Sequence, residues 1–265
     1  MRRGNMHVFV FRLSIFGDFK QFVPTTANVI AWTQALQQAG FNLLPSIIQQ
    51  PPQFGNVPFV AIPTGALNSN EKRIQFLSPD GDYAIRILTE RVDVELTQGI
   101  ADTFEQYFTD KLKLASDLMN AMIHALGEVQ GCRLAYYVDA LLPEQNGKSF
   151  EKFYNQNNLN ISIDGSSENC VEWSHRFNKR FAATIGEKSE LSNAILLIES
   201  GVLQTVNAST GEQQSVKGLH ILSDINTLAE NGKERFTVAD LDSFSNNAQS
   251  VFLKFLEQIK GKLSE

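Results

Sequence analysis

Between Arg73 and Leu126 the chain changes from a two-residue to a three-to-four-residue apolar period, and few architectures accommodate that order. Ile74 and Phe76, the turn Pro79-Asp80-Gly81-Asp82, and then Tyr83, Ile85 and Ile87 read as a hairpin. Proline fixes φ and glycine supplies the positive φ that a tight reversal needs. The alternation resumes in the other phase at Val92, Val94 and Leu96. That predicts one long strand from Tyr83 to Leu96 with a bulge near Thr89 or Glu90, because one extra residue flips the face a strand presents. Asp102 and Glu105 then stand three apart like an N-cap and its partner. Phe104, Phe108, Leu112, Ala115, Met119, Met122 and Leu126 recur every three or four residues until Gly127. A long amphipathic helix lying on an antiparallel sheet is the expected outcome.

The rest of the chain is read against this unit. Phe9, Phe11, Leu13 and Ile15 alternate with Val8, Val10, Arg12 and Ser14, which predicts a strand ending at Gly17-Asp18. Pro24-Thr25-Thr26 opens a helix with the stripe Val29, Trp32, Leu36 and Ala39, closed by Gly40. Residues 44–63 hold five prolines, which predicts a loop leading to a short edge strand over Val57 to Ile62. Farther on, strands are predicted over Cys132 to Leu142, Cys170 to Thr184, Leu191 to Val206 and Val216 to Asn226, with a short helix over Ser149 to Gln156. Thr237 with Asp240 opens a last helix with the stripe Leu241, Phe244, Ala248, Val251, Phe255 and Ile259. The fold class expected is α+β, in two similar halves, 1–128 and 129–265, packed as one unit. Each half is a mainly antiparallel sheet in the order strand, helix, three strands, long helix, with the long helices packed on the sheet. Ile87-Leu88-Thr89-Glu90 and Ile221-Leu222-Ser223-Asp224 echo one another ahead of the two long helices.

Composition narrows the function classes. A net charge of −6 argues against a large unspecific nucleic-acid footprint, and 43% hydrophobic residues against global disorder. No apolar run approaches a bilayer span, so no membrane association is expected. The two cysteines, Cys132 and Cys170, are too few for a disulfide scaffold or a zinc site, which predicts a reduced, cytoplasmic setting.

Three constellations stand out. Gly147-Lys148-Ser149 lies between a predicted strand and a predicted helix, as a phosphate-binding loop would. The full pattern needs a glycine where Leu142 stands, while Pro143 removes a donor and Glu144 brings negative charge, so a plain helix start is preferred. In the strand beginning at Cys170, alternation puts Trp173, His175, Phe177, Lys179 and Phe181 on a core-facing side. Arg176 and Arg180 fall on the solvated side, where they are candidates to grip an acidic partner or phosphate. Arg91 and Asp93 follow the hairpin, and Asp224 and Asn226 take the matching place in the second half. If the halves pack as mates, the two clusters approach one edge and form a candidate site. The histidines show no metal-ligand spacing, and neither a Gly-x-Ser-x-Gly elbow nor a catalytic cysteine flank occurs. No cofactor is expected.

The run from Arg73 to Leu96, the helix from Asp102 to Leu126, and the string Gly218-Leu219-His220-Ile221-Leu222-Ser223-Asp224-Ile225-Asn226 resemble a family of sporadically distributed bacterial proteins. The function of that family is not established. Its duplicated α+β organisation is reminiscent of the saddle fold of TATA-binding proteins. The resemblance implies a duplicated fold over most of the chain, carries over no catalytic residue, and suggests mobile accessory roles such as antiviral defence or toxin immunity.

The expected activity is non-enzymatic binding or regulation, with another protein as partner. Nucleic-acid or nucleotide-phosphate recognition through Arg176 and Arg180 is the alternative, and an enzyme of unrecognised type the third reading. Self-association through the Phe-rich helices is compatible with all three.

Overall fold

A computed structural model describes residues 5–49, 72–144, 173–206, 213–229 and 232–264. The alternation of Phe11, Leu13 and Ile15 with Arg12 and Ser14 makes β1 (Met6–Phe16) a strand with one fully apolar side. Its apolar side needs a covering layer, and its backbone groups are paired on both edges. It pairs with β5 (Arg91–Ala101) on one side and β6 (Arg133–Pro143) on the other. Outward from β5 come β4 (Tyr83–Ile87), β3 (Lys72–Leu77) and β2 (Leu44–Gln49). Outward from β6 come β9 (Gln213–Thr227), β8 (Lys188–Val206) and β7 (Ser174–Ile185). The result is a nine-stranded sheet in which every ladder is antiparallel.

Three helices complete the described α+β fold: α1 (Thr26–Gln38), α2 (Phe104–Ala125) and α3 (Val238–Ser264). Helix α2 lies on β5, β1 and β4, and α3 on β7, β6 and β9. They touch each other in antiparallel sense, with Phe104 near Lys260 and Phe108 near Phe252, while α1 packs beside α2. The α2 stripe predicted from period falls inward, with Phe108, Ala115, Met119 and Met122 all at 0% exposure. No helix of the described residues is long and apolar enough to cross a membrane.

At the centre, one ring from each of four elements closes a cycle. Phe11 of β1 meets Tyr136 of β6 edge-on at 5.2 Å, and Phe108 of α2 meets Phe252 of α3 edge-on at 5.1 Å. Phe11 to Phe108 is 6.4 Å and Tyr136 to Phe252 is 6.3 Å. These separations suit the quadrupoles of aromatic pairs. The Tyr136 hydroxyl is buried there with no hydrogen-bond partner among the described residues. A buried unsatisfied hydroxyl is costly, so Tyr136→Phe is expected to raise stability by about 1 kcal/mol, read as a higher urea midpoint at unchanged slope. A lowered midpoint would mean that the hydroxyl has a partner.

Several expectations need correction. Tyr83 to Leu96 is a second hairpin and not one bulged strand. Tyr83, Ile85 and Ile87 pair with Leu96, Val94 and Val92, and directly opposed residues share a face, so no bulge is needed to reconcile the phases. Leu88 N–H bonds the Arg91 carbonyl to close the turn. Leu44 to Gln49 is a strand despite Pro45, because among the described residues β2 is an edge strand and loses no inner ladder bond to the missing N–H. Thr103, not Asp102, is the N-cap residue of α2, and the Asp102 carboxylate accepts a hydrogen bond from Asn5. The two echoing strings are not equivalent: Leu88-Thr89-Glu90 is a turn, whereas Ile221 to Asp224 lies within β9. Among the described residues four strands lie between α1 and α2, where three were expected. The predicted strand over Val57 to Ile62 and the helix over Ser149 to Gln156 fall outside the described residues. At α3 the sequence signal holds, since Thr237 N–H donates to Asp240 Oδ2 at 2.9 Å and Asp240 N–H donates to Thr237 Oγ1 at 3.3 Å.

Candidate functional site

The helices cover one face of the sheet, and among the described residues none packs on the other. That second face receives the alternate residues of each strand, which are charged at the middle of otherwise apolar segments: Arg12 between Phe11 and Leu13, Asp139 between Val138 and Ala140, His220 between Leu219 and Ile221. Antiparallel registry lines them up across the strands. Glu95 opposes Arg12, Arg12 opposes Tyr137, and Tyr137 opposes Asp224.

The contacts form a ladder. Arg86 of β4 reaches Glu95 of β5 at 2.8 Å, and Arg12 of β1 reaches the same carboxylate at 3.6 Å. The Arg12 guanidinium lies 4.6 Å from the centre of the Tyr137 ring, within cation–π range. Burial raises the Tyr137 hydroxyl pKa, and the neighbouring Asp139 adds to that effect. On the far side His220 of β9 bridges two carboxylates, with Nε2 2.7 Å from Asp139 of β6 and Nδ1 2.7 Å from Glu199 of β8. The hydrogen bond to Asp139 is the main cause that lifts the His220 pKa to about 9. Partial burial opposes it and Glu199 adds to it. His220 is therefore an imidazolium at neutral pH, donating from both nitrogens, and holds no lone pair for general-base chemistry.

The six binding candidates taken from the sequence all lie on this face. Asp93 is 1% exposed and accepts from Ser14 Oγ at 2.6 Å and Arg91 Nε at 2.8 Å. Asn226 donates to Asp224 at 2.9 Å. Asp93, Ser14, Ala135, Asn226, Asn193 and Arg180 share one cross-strand row. The clusters at Arg91 and Asp93 and at Asp224 and Asn226 are thus on one surface, but β1 and β6 stand between them, a separation of about 14 Å at normal strand spacing. They do not converge at an edge. Arg176 and Arg180 are exposed on β7, at the end of the sheet. Phe177 and Lys179, assigned to the core-facing side, do point that way, yet both are exposed, with Phe177 at 51%. Gly147, Lys148 and Ser149 lie outside the described residues.

Sequence reasoning missed Arg12, Glu95, Tyr137, Asp139, Glu199 and His220. The available signal was an isolated charged or hydroxylated residue within an apolar strand, as at Arg12, Asp139 and His220. Among the described residues no group of three or more His, Cys, Asp or Glu is placed to hold a metal ion. No family model matches the chain, and no curated protein sequence matches it significantly.

Proposed function

We propose that the chain is a cytoplasmic, non-enzymatic binding or regulatory protein whose sheet face opposite the three described helices engages another protein. The single observation that carries this reading is the ladder of alternating charges running from Arg86 through Glu95, Arg12 and Tyr137 to Asp139, His220 and Glu199. Such a surface discriminates among partners, because matched charges re-pair across an interface and mismatched ones are left desolvated. The family resemblance implies an accessory role in bacterial defence or toxin immunity, and two related halves. The strand order supports the second point: β1 adjoins β5, the last strand before α2, and β6 adjoins β9, the last strand before α3.

The test compares the wild-type chain, Asp224→Lys on the sheet face and Lys113→Glu on the exposed side of α2 as baits in the native cell extract at physiological salt. A protein retained by wild type and Lys113→Glu and lost by Asp224→Lys is expected. A protein retained equally by all three baits, or none retained, overturns the proposal.

A second reading is favoured by one observation, the exposure of Arg176 and Arg180 on the same side of β7. Under it, the face recognises nucleic acid or nucleotide phosphate. Oligonucleotide binding that weakens steeply with salt, by about one decade per phosphate contact for each decade of salt, would establish that reading over the first.

A further inference from the structure

Strand β7 ends the sheet, and among the described residues it pairs only with β8. The turn joining them is the two-residue pair Gly186-Glu187, with Gly186 at φ +58°. A glycine at positive φ in the first central position is the type II′ hairpin, in which the flanking residues form the closing hydrogen-bonded pair. Ile185 and Lys188 are that pair. Hydrogen-bonded and non-bonded pairs then alternate along the ladder. The inward set is Ile185, Ala183, Phe181, Lys179, Phe177 and His175, so the backbone groups of Thr184, Ala182, Arg180, Asn178, Arg176 and Ser174 point away from β8. The Thr184 carbonyl agrees, since it accepts from Asn247 Nδ2 of α3 at 2.8 Å. Helix α3 thereby closes the Thr184 end, and no described strand pairs with the edge from Ser174 to Ala182.

The side chains along this edge say what fits it. Arg176 and Arg180 project to the face opposite the described helices, and Lys179 projects, exposed, to the other. Phe177, beside Lys179, is 51% exposed. An added strand would therefore meet cations on both of its faces and one apolar ring. A second copy pairing β7 with β7 would oppose like charges, which is unfavourable. A nucleic acid would need a basic surface behind the edge, but the next strand presents Asn193, Ile195, Leu197 and Glu199 on the face of the two arginines.

We infer that the outer edge of β7 between Ser174 and Ala182 is a docking site for an extended acidic segment of a partner protein, which adds to the sheet as a tenth strand. Main-chain bonds to the outward groups supply affinity, and carboxylates of the segment pair with Arg176 on one face and Lys179 on the other to set register. The site is separate from the charged ladder, and either can fail alone.

Fluorescence anisotropy with the full chain tests it. The probe is a labelled peptide about ten residues long of alternating glutamate and threonine, roughly the span of the edge. Three controls accompany it: the same peptide with lysine for glutamate, the acidic peptide with alternate backbone amides N-methylated, and a single-stranded oligonucleotide. Asn178→Pro removes one outward N–H and leaves the bonds to β8 intact, as edge-strand proline does, so it is expected to fold and to bind the acidic peptide at least about tenfold more weakly. Arg176→Glu should weaken binding to a similar degree, and N-methylation should abolish it with the protein unaltered. Acidic-peptide binding indifferent to both Asn178→Pro and N-methylation overturns strand addition. Preference for the oligonucleotide overturns the choice of partner. No binding at all means that the cations only guard the edge against aggregation, and it leaves the ladder proposal standing.

Discussion

Replacing Phe252 with alanine is expected to lower stability by about 3–5 kcal/mol, a large share of the roughly 5–15 kcal/mol that holds a typical domain together. The ring is at 0% exposure and touches Phe108 at 5.1 Å and Tyr136 at 6.3 Å, so it joins α3 both to α2 and to the central strand β6. Truncation removes the transfer free energy of the ring and leaves a cavity that can collapse only by moving a long helix, a central strand or both. It also removes an edge-to-face contact worth about 1 kcal/mol beyond buried area. Urea unfolding, compared at equal slope, measures the effect. Leu253→Ala, on the next and only partly buried residue of the same helix, should cost markedly less. Equal losses for the two would mean that α3 is held along its whole length and that the four-ring cycle is not the centre of the fold.

What sequence made legible follows from how local each interaction is. The strand β1, the stripe of α2 and the Thr237-Asp240 start of α3 are set within a few residues, and each was readable from period or spacing. The hairpin at Leu88-Thr89-Glu90 was not, because it holds no glycine, proline or asparagine. Its backbone is held from afar, by Gly17 N–H on the Glu90 carbonyl at 3.0 Å and Phe19 N–H on the Thr89 carbonyl at 2.9 Å. Asp102 looks like a cap until Asn5, 97 residues away, takes its carboxylate. Pro45 signals a loop unless one knows that its strand lies at the sheet margin.

The candidate site divides in the same way. That Arg91, Asp93, Asp224, Asn226, Arg176 and Arg180 are polar exceptions on strands was visible in the sequence. Their common face was not, because a face shared by β5, β9 and β7 depends on the strand order, in which β1 and β6 come between. His220 was passed over as one of four scattered histidines. Its partners Asp139 and Glu199 are 81 and 21 residues away, and only registry across β6, β9 and β8 assembles them.

That assembly leads to a stability that falls with rising pH. His220 has a folded-state pKa of about 9 against an ordinary 6.5, raised chiefly by its hydrogen bond to Asp139. A group whose pKa is higher when folded stabilises the fold while it is protonated in both states. Its contribution is therefore fully present below about 6.5 and is lost as pH rises through about 9. The shift corresponds to at most about 3 kcal/mol. Solvent at the rim, where the Glu199 side chain is 34% exposed, reduces this to about 1–2 kcal/mol. His220→Gln is close in size and removes the charge, keeping one nitrogen donor in place of two and leaving Asp139 and Glu199 facing a neutral group. The variant should be less stable than wild type at neutral pH by about that amount, and the gap should close as wild type loses its own proton. Urea midpoints for both proteins across this range measure it, and groups that titrate alike in the two cancel in the difference. A gap that stays constant with pH would mean that His220 acts through packing alone, and a gap that widens would mean that the imidazole is neutral where the geometry makes it a cation.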